Sequence, residues 1–539
     1  MNKKLQIWLP FLLSITLITG MLLGYTMSDT MPGKNFFSLE KPHPLQEVLE
    51  LIKNKYVDDV KLRDLSDTAI AAILEKLDPH SAFIPADELQ NVNEDIAGNF
   101  FGIGVEFNII DDTIQVVNVV PKGPSEKAGI LSGDKFIKVN DSMVAGKKIS
   151  SERIRKLLRG DINTKVSVVI LRDWKQKTVV ISRGIIPVSS IDASYMIDSS
   201  TGYIRLNKFS QVTYHEFKQA LGLLKKQRLQ QLILDLRGNG GGVLDEATAI
   251  ADEFLDGDKL ITYTEGKHFP KKEYRCKKEG LFEKGKLVVL CDEGTASASE
   301  ILIGALQDWD RTTIIGRRSF GKGLVQEQYD LSDGSALRLT IARYFTPIGR
   351  SIQRPYLNGG KAYYNEIENR FHDGEMVTMD SIKNDSLHVF KTNKGKVLYG
   401  GGGITPDIFV ALDTNTKGSV ATKLFFKGSI GTFAYTFYHQ NRETLKQYKL
   451  TKDFAENFTF PNDGWMQFLG RAKKDSIALD KISLAEKNAI IQRIKAGIAR
   501  QIWRNEGYFE IMNRHDTTVK KALEFLNRGG NKIGSSEQQ

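Results

Sequence analysis

The side chains best suited to do chemistry fall within residues 287–326. A short apolar run, Leu287-Val288-Val289-Leu290, suits a buried strand, and the chain passes through Asp292-Glu293-Gly294-Thr295 into Ala296-Ser297-Ala298-Ser299-Glu300. Ile301, Leu302 and Ala305 then share one helical face, so a serine sits where a strand turns into a helix. The first N–H groups of a helix lack partners within it and carry partial positive charge, so they can stabilise an oxyanion formed beside that serine. A serine nucleophile also needs a base. No histidine lies near the junction, but Lys322 stands between two glycines, and Gln326 lies four residues on, where its carbonyl could orient the amine. At an ordinary lysine pKa near 10.4, only about 0.04% of the amine is neutral at pH 7. Burial that lowers the pKa to roughly 8 raises the neutral fraction to about a tenth, at a cost of about 3 kcal/mol. These residues point to a serine-lysine dyad. The plainer readings are a small-residue helix start at 295–299 and a solvated or phosphate-contacting Lys322.

A second junction lies upstream. Leu232-Ile233-Leu234-Asp235-Leu236 reads as a buried strand, followed by Arg237-Gly238-Asn239-Gly240-Gly241-Gly242 and a helix through Ala247, Ile250 and Phe254. Neither the dinucleotide fingerprint nor the P-loop spacing is present. The glycines instead suit a loop whose backbone N–H groups approach a substrate carbonyl.

Ser297-Ala298-Ser299-Glu300, Gly321-Lys322-Gly323 and Gln326, together with the run 235–242, resemble the core motifs of the C-terminal processing proteases, or tail-specific proteases. Ser297 lies 25 residues before Lys322, and Gln326 four after it, as in that family. The resemblance implies Ser297 rather than Ser299 as nucleophile, Lys322 as base and Gln326 as the orienting residue. It also implies an oxyanion hole formed by the Ala298 N–H and one of Gly240, Gly241 and Gly242, on a crotonase-like α/β core. The likeness extends over roughly 45–410, including 346–353 and 403–407, and includes residues 77–85, where His80 is read as structural.

Other elements must position these groups. A chain of 539 residues, 41% hydrophobic and 26% charged, holds several folded units. Its net charge of +10 is spread without a dense basic block, which excludes nucleic acid as a partner, and two cysteines do not make a disulfide scaffold. Strands alternating with helices over 186–414 predict a mainly parallel sheet. Residues 96–185 read as short strands around two short helices, a pattern that resembles a PDZ domain. Phe101, Gly102, Ile103 and Gly104 there form the loop expected to take a terminal carboxylate, and the following strand is expected to pair with an extended peptide.

Residues 1–30 carry Lys3 and Lys4 before a long apolar run and read as a membrane anchor or signal segment. This predicts attachment to the cytoplasmic membrane with the catalytic part on the outer, periplasmic side of the cell envelope. Residues 44–95 predict a helical region. Residues 354–400 read as a polar surface loop, and 415–539 as a mainly helical extension in which Phe425, Phe426, Phe433, Tyr435 and Tyr438 pack on the core. The tail after Leu526 reads as disordered.

The expected fold is therefore α/β: a crotonase-like protease core with a PDZ domain, an N-terminal helical region and a helical C-terminal extension. The expected function is that of an envelope serine endopeptidase whose PDZ domain takes proteins with exposed apolar C-termini. Neither cofactor nor metal is expected, and an adaptor or a second copy of the chain is a candidate partner. The alternative is an inactive PDZ scaffold or chaperone.

Overall fold

The computed structural model describes residues 3–28, 44–357, 359–382, 388–413, 420–479 and 482–528, so the end of the tail read as disordered lies outside the described residues. The chain divides into two compact units, residues 1–72 and 73–539. The first contains the helices Lys3–Ser28 and Pro44–Lys55 and most of Leu62–Glu75. Among the described residues, no helix is long and apolar enough to cross a membrane.

The second unit is built on a six-stranded sheet in the order Ile191–Met196, Thr201–Leu206, Gln231–Asp235, Lys286–Cys291, Thr313–Gly316 and Ile408–Phe409. Its first pair is antiparallel and the other four are parallel. Successive strand side chains point to opposite faces, and here both faces are covered, so the central strands are apolar throughout. On one face Leu232, Leu234, Leu287 and Val289 pack with Ile301, Leu302 and Ala305 of the helix Ala298–Asp308. On the other, Ile233, Val288 and Leu290 meet Val519, Ala522 and Leu526 of the helix Thr517–Asn527. Each of the buried Val, Leu and Ile side chains among these contributes about 1.5–3 kcal/mol. The end of the expected C-terminal extension is thus a structural layer of the catalytic core.

A second, antiparallel sheet contains Ala82–Ile84, Ala336–Phe345, Leu260–Gly266 and Phe269–Arg275, with Leu324–Asp330 also paired to Ala336–Phe345. Leu324–Asp330 and Ala336–Phe345 form a hairpin with its turn at 331–335, and Gln326 lies inside the first of them. The register shifts between Val325 and Gln326, and Gln326 comes opposite Thr340.

The PDZ fold is a sheet of Val105–Ile110, Thr113–Val119, Lys135–Val139, Ser142–Met143, Lys165–Arg172 and Lys175–Ser182, with the helices Pro124–Lys127 and Ser151–Leu158. The segment before Val105–Ile110 is not all loop. Asn99–Gly102 pairs with Gly184–Pro187, and the chain turns at Gly104, whose φ of 74° brings it against Ile186.

Two further expectations are corrected. Residues 354–400 are not a plain surface loop: they contain the helix Gly360–His372, whose Tyr363 and Arg370 are buried, and the hairpin Val389–Lys391/Val397–Tyr399. In the helical extension, Phe433 joins Phe437, Phe454, Phe460 and Phe468 in a separate core, but Phe425 and Phe426 are exposed. Tyr435 packs on Ile110 and Val117 of the PDZ sheet and donates to the Val116 carbonyl at 3.2 Å.

Candidate active site

Ser297 ends the turn after the buried strand Lys286–Cys291 and caps the helix Ala298–Asp308. Its φ of 56° and ψ of −116° place a non-glycine residue in backbone that L side chains rarely adopt. Strain of this kind costs about 1–3 kcal/mol and persists only where the surroundings impose it. The surroundings here are a buried carboxylate. Glu300, on the first turn of the same helix, accepts from the N–H of Ser297 at 2.8 Å, of Gly321 at 2.7 Å and of Lys322 at 2.9 Å, and from the Ser319 hydroxyl. Burial pushes its carboxyl above the usual range, and the donated hydrogen bonds oppose that shift. The Tyr344 hydroxyl makes a second tie, 2.6 Å from the Lys322 carbonyl and 3.1 Å from that of Ser297. Two side chains thus clamp together the backbones that carry the candidate nucleophile and base.

Ser297, Lys322, Gln326, Ala298 and the three glycines 240–242 line one cavity of about 650 Å³, which Arg338 and Tyr344 also border. Desolvation, helped by the charge of Arg338, draws the Lys322 amine down to about 8, against the pull of Glu300 and Asp78. Ser297 and Lys322 share the cavity without a hydrogen bond between them. Ser299 turns away: its hydroxyl donates to the Asn239 carbonyl at 3.0 Å and ties the helix to the glycine loop.

The glycine loop reaches the nucleophile as expected. Gly241, with φ 94°, comes so close that a Cβ would lie 2.8 Å from both the Ser297 Cβ and the Ala298 nitrogen. Its N–H, however, is donated to Asn239 Oδ1 at 2.9 Å in this structure. Ala298 N–H, at the first position of the helix, and Gly240 N–H remain on the cavity. Asp235 anchors the loop. It is fully buried, accepts from the Tyr203 hydroxyl, Arg205 and Arg237, and is held below the ordinary carboxylate range by the two guanidiniums against its burial. Arg237 in turn donates to Asp516 at the start of the C-terminal helix.

Gln326 does not reach Lys322. Its amide donates to Thr340 Oγ1 at 3.3 Å, and Thr340 donates to Asp78 Oδ1 at 3.0 Å. Asp78 also accepts from the backbones of His80 and Ser81, so the turn 78–81 is tied to the strand that carries Thr340, and Asp78 and His80 act electrostatically on the Lys322 amine. The sequence reading missed this role for Asp78; its one available signal was the turn at Asp78-Pro79 ahead of the PDZ domain.

The PDZ groove, about 340 Å³, is lined by Gly102, Ile103, Gly104, Phe107 and the helix residues Ser151, Arg155 and Leu158, with Arg159 beside them. Phe100 lines it rather than Phe101, because strand alternation turns Phe101 to the other side. Arg155 and Arg159 were not read from the sequence, although charge on the groove-facing helix was visible there. Arg159 lies over the Phe100 ring at 4.5 Å and pairs with Glu94 at 3.0 Å.

Residues 200–359 match Peptidase family S41 and residues 102–182 match the PDZ domain, so the molecule is a serine-type peptidase with a PDZ domain ahead of its catalytic core. Among its relatives are a carboxy-terminal-processing protease of Bartonella bacilliformis, 34% identical over 57% of this chain and 71% of the relative, and a "Probable CtpA-like serine protease" of Staphylococcus saprophyticus, 32% identical over 64% and 71%. A solved photosystem II D1 C-terminal processing protease is 27% identical, covers 68% of this chain and 86% of its own, and has a TM-score of 0.36. The chain belongs to the carboxy-terminal-processing proteases of Peptidase family S41. Residues 420–504 match a family of unknown function.

Proposed function

We propose that this peptidase captures the free C-terminal tail of an unfolded protein in its PDZ groove and cleaves the attached chain through an acyl-enzyme on Ser297. The observation that carries the reading is the meeting of Ser297, Ala298 N–H and a desolvated Lys322 in one cavity. In the reaction, the neutral Lys322 amine takes the Ser297 hydroxyl proton as Oγ attacks the scissile carbonyl. The negative charge that develops on the carbonyl oxygen is met by Ala298 N–H, with Gly240 N–H as its partner. Lys322 then protonates the leaving amine, and water activated by the same amine hydrolyses the ester. Gln326, bonded to Thr340, lines the cavity and takes no part in these steps.

Tail capture rests on the loop around Ile103 and Gly104, whose N–H groups and neighbouring Arg155 suit a carboxylate. Capture raises the concentration of the attached chain at the site to the order of mM. Amidating the terminal carboxylate of an unfolded substrate removes charge-assisted hydrogen bonds worth about 1.5–3 kcal/mol, so kcat/KM should fall by about 10- to 100-fold. Fragment analysis by mass spectrometry checks this. Equal cleavage of amidated and free tails would make the chain a general endopeptidase for unfolded proteins, and no cleavage by the intact chain would leave the scaffold reading.

The basic residues Lys3 and Lys4 ahead of an apolar helix support an envelope location with residues after 30 outside the cytoplasmic membrane. The expected result is membrane fractionation of the full chain and digestion by protease added from the outer side. Recovery of the full chain in the cytosolic fraction would overturn it.

A further inference from the structure

The match to Peptidase family S41 ends at residue 359, and the helix Gly360–His372 follows at once. That helix packs against the segment that carries the candidate base. Arg370, buried, donates to the Ser319 carbonyl at 2.7 Å and reaches the Phe320 carbonyl at 3.4 Å, two residues before Lys322. One turn earlier, Glu366 accepts from Arg370 at 2.7 Å and pairs with Arg354. Arg354 is 2% exposed, and its Nε and Nη2 have no hydrogen-bond partner among the described residues. Its guanidinium lies between two rings instead, 4.0 Å from the centre of Phe320 and 3.9 Å from that of Tyr363. Tyr363 also meets His80: its hydroxyl is 2.9 Å from His80 Nε2, and the two rings pack edge to face. Tyr364 donates to the Pro79 carbonyl at 2.6 Å.

One helix therefore grips both the backbone before Lys322 and the turn 78–81. The loop has little freedom between these contacts, since a Cβ on Gly321 would lie 3.3 Å from the Arg354 Cβ and 3.1 Å from the Gly403 nitrogen. We propose that the helix Gly360–His372 is a positioning element for the catalytic base, with Arg370 fixing the loop 319–322 and Tyr363 holding His80 as the wall that keeps water from the Lys322 amine. The proposal rests on the reading of Lys322 as base.

The charged and titratable groups that act on the amine are Arg338 from the strand Ala336–Phe345, Glu300 from the helix Ala298–Asp308, and Asp78 and His80 from the turn 78–81. Burial, with the charge of Lys322 behind it, draws His80 down to about 4, so at neutral pH the wall adds no positive charge of its own. Its effect is exclusion of water, and opening it should raise the lysine pKa and leave less neutral amine.

The test uses the full chain and two readouts. The first is kcat and KM on a fluorescence-quenched peptide with a free apolar C-terminus. The second is acetic anhydride labelling of Lys322 across pH, followed by mass spectrometry, which titrates the amine without turnover. Tyr363→Ala should move the labelling midpoint up by about one pH unit and lower kcat at pH 7 about tenfold, with KM within about twofold of the intact chain. Tyr363→Phe, which keeps the ring, should recover kcat to within about threefold. Arg370→Lys, which keeps the charge but loses the planar fork, should lower kcat about tenfold at unchanged KM. A folded Tyr363→Ala or Arg370→Lys chain with the kcat and labelling midpoint of the intact chain overturns the proposal. A midpoint near the ordinary value of about 10.4 in the intact chain would instead remove Lys322 as base.

Discussion

Replacing Ser297 or Lys322 by alanine should each lower kcat by a factor on the order of 10⁴ or more, with peptide binding by the PDZ domain intact. The two losses should not add, because nucleophile and base act as one unit and either removal ends the same step. Neither change should unfold the chain. The clamp that joins the two segments uses the backbone N–H groups of Ser297 and Lys322, which alanine keeps, and the Lys322 carbonyl bonded to Tyr344. Ser299→Ala should behave differently. It loses a bond to the Asn239 carbonyl worth about 1 kcal/mol but touches neither the cavity nor the amine, so most activity should remain. On the proposed mechanism the active form of Lys322 is the neutral one, and burial draws its pKa below the ordinary value. The rate should therefore climb with pH through about 8 and fall off below it, where the amine is protonated. A kcat that is flat from about pH 6 to 9, or an active Lys322→Ala chain, would rule out lysine as the base.

The proposed dyad could be read from the sequence because its signals are local. A strand, a serine at the first turn of a helix and a lysine between glycines all fall within one short stretch, and a base of this kind demands a lowered pKa wherever it occurs. The sheet was legible for a related reason: strands buried on both faces leave unbroken apolar runs. What covers the second face was not, because the periodicity of residues 517–527 says that the helix has an apolar side and not which strand it meets. The same limit hid the contacts of the turn 78–81. His80 and Tyr363 are 283 positions apart, and Arg237 and Asp516 are 279 apart, so neither pair leaves a local pattern. The helix Gly360–His372 looked like a loop because its buried residues are Tyr363 and Arg370, an aromatic and a cation held by carbonyls and carboxylates, rather than an aliphatic stripe. Gly241 shows the same limit in another form. Its glycine identity is required by close approach to Ser297 at φ 94°, and the same geometry that brings it there turns its N–H to Asn239.

These corrections share a cause: the nucleophile and the base are held by their backbones, and the groups that hold them are dispersed along the chain. Asp235 fixes the glycine loop, Arg370 the lysine loop and Tyr344 both catalytic carbonyls. Glu300 is where these supports converge, since a single carboxylate satisfies donors from the turn at Ser297 and from the loop at Ser319, Gly321 and Lys322.

Glu300→Gln should therefore be far more damaging than a surface change of the same size. A carboxylate offers acceptors on both oxygens, whereas the amide has one acceptor oxygen and an NH₂ that faces donors whichever way it is placed. At least one buried N–H then loses its partner, at about 1–3 kcal/mol for each group left unpaired, and the loop must shift to relieve it. A displacement of the amine by about 1 Å costs on the order of 10²-fold in rate, so kcat should fall by at least that factor. The charge makes a second, separable mark. Glu300 is one of two carboxylates that raise the lysine pKa against its burial, so removing its charge should move the midpoint of the pH profile below about 8. Loss of rate at neutral pH together with a lower midpoint cannot come from a shortage of neutral amine, because the neutral fraction has increased; it marks a base that is present but misplaced. The Glu300→Gln chain, purified and checked for folding by thermal unfolding, is assayed for kcat across pH on the quenched peptide. A variant with the rate and midpoint of the intact enzyme would show that the clamp on Ser297 and Lys322 is not what holds the site in register.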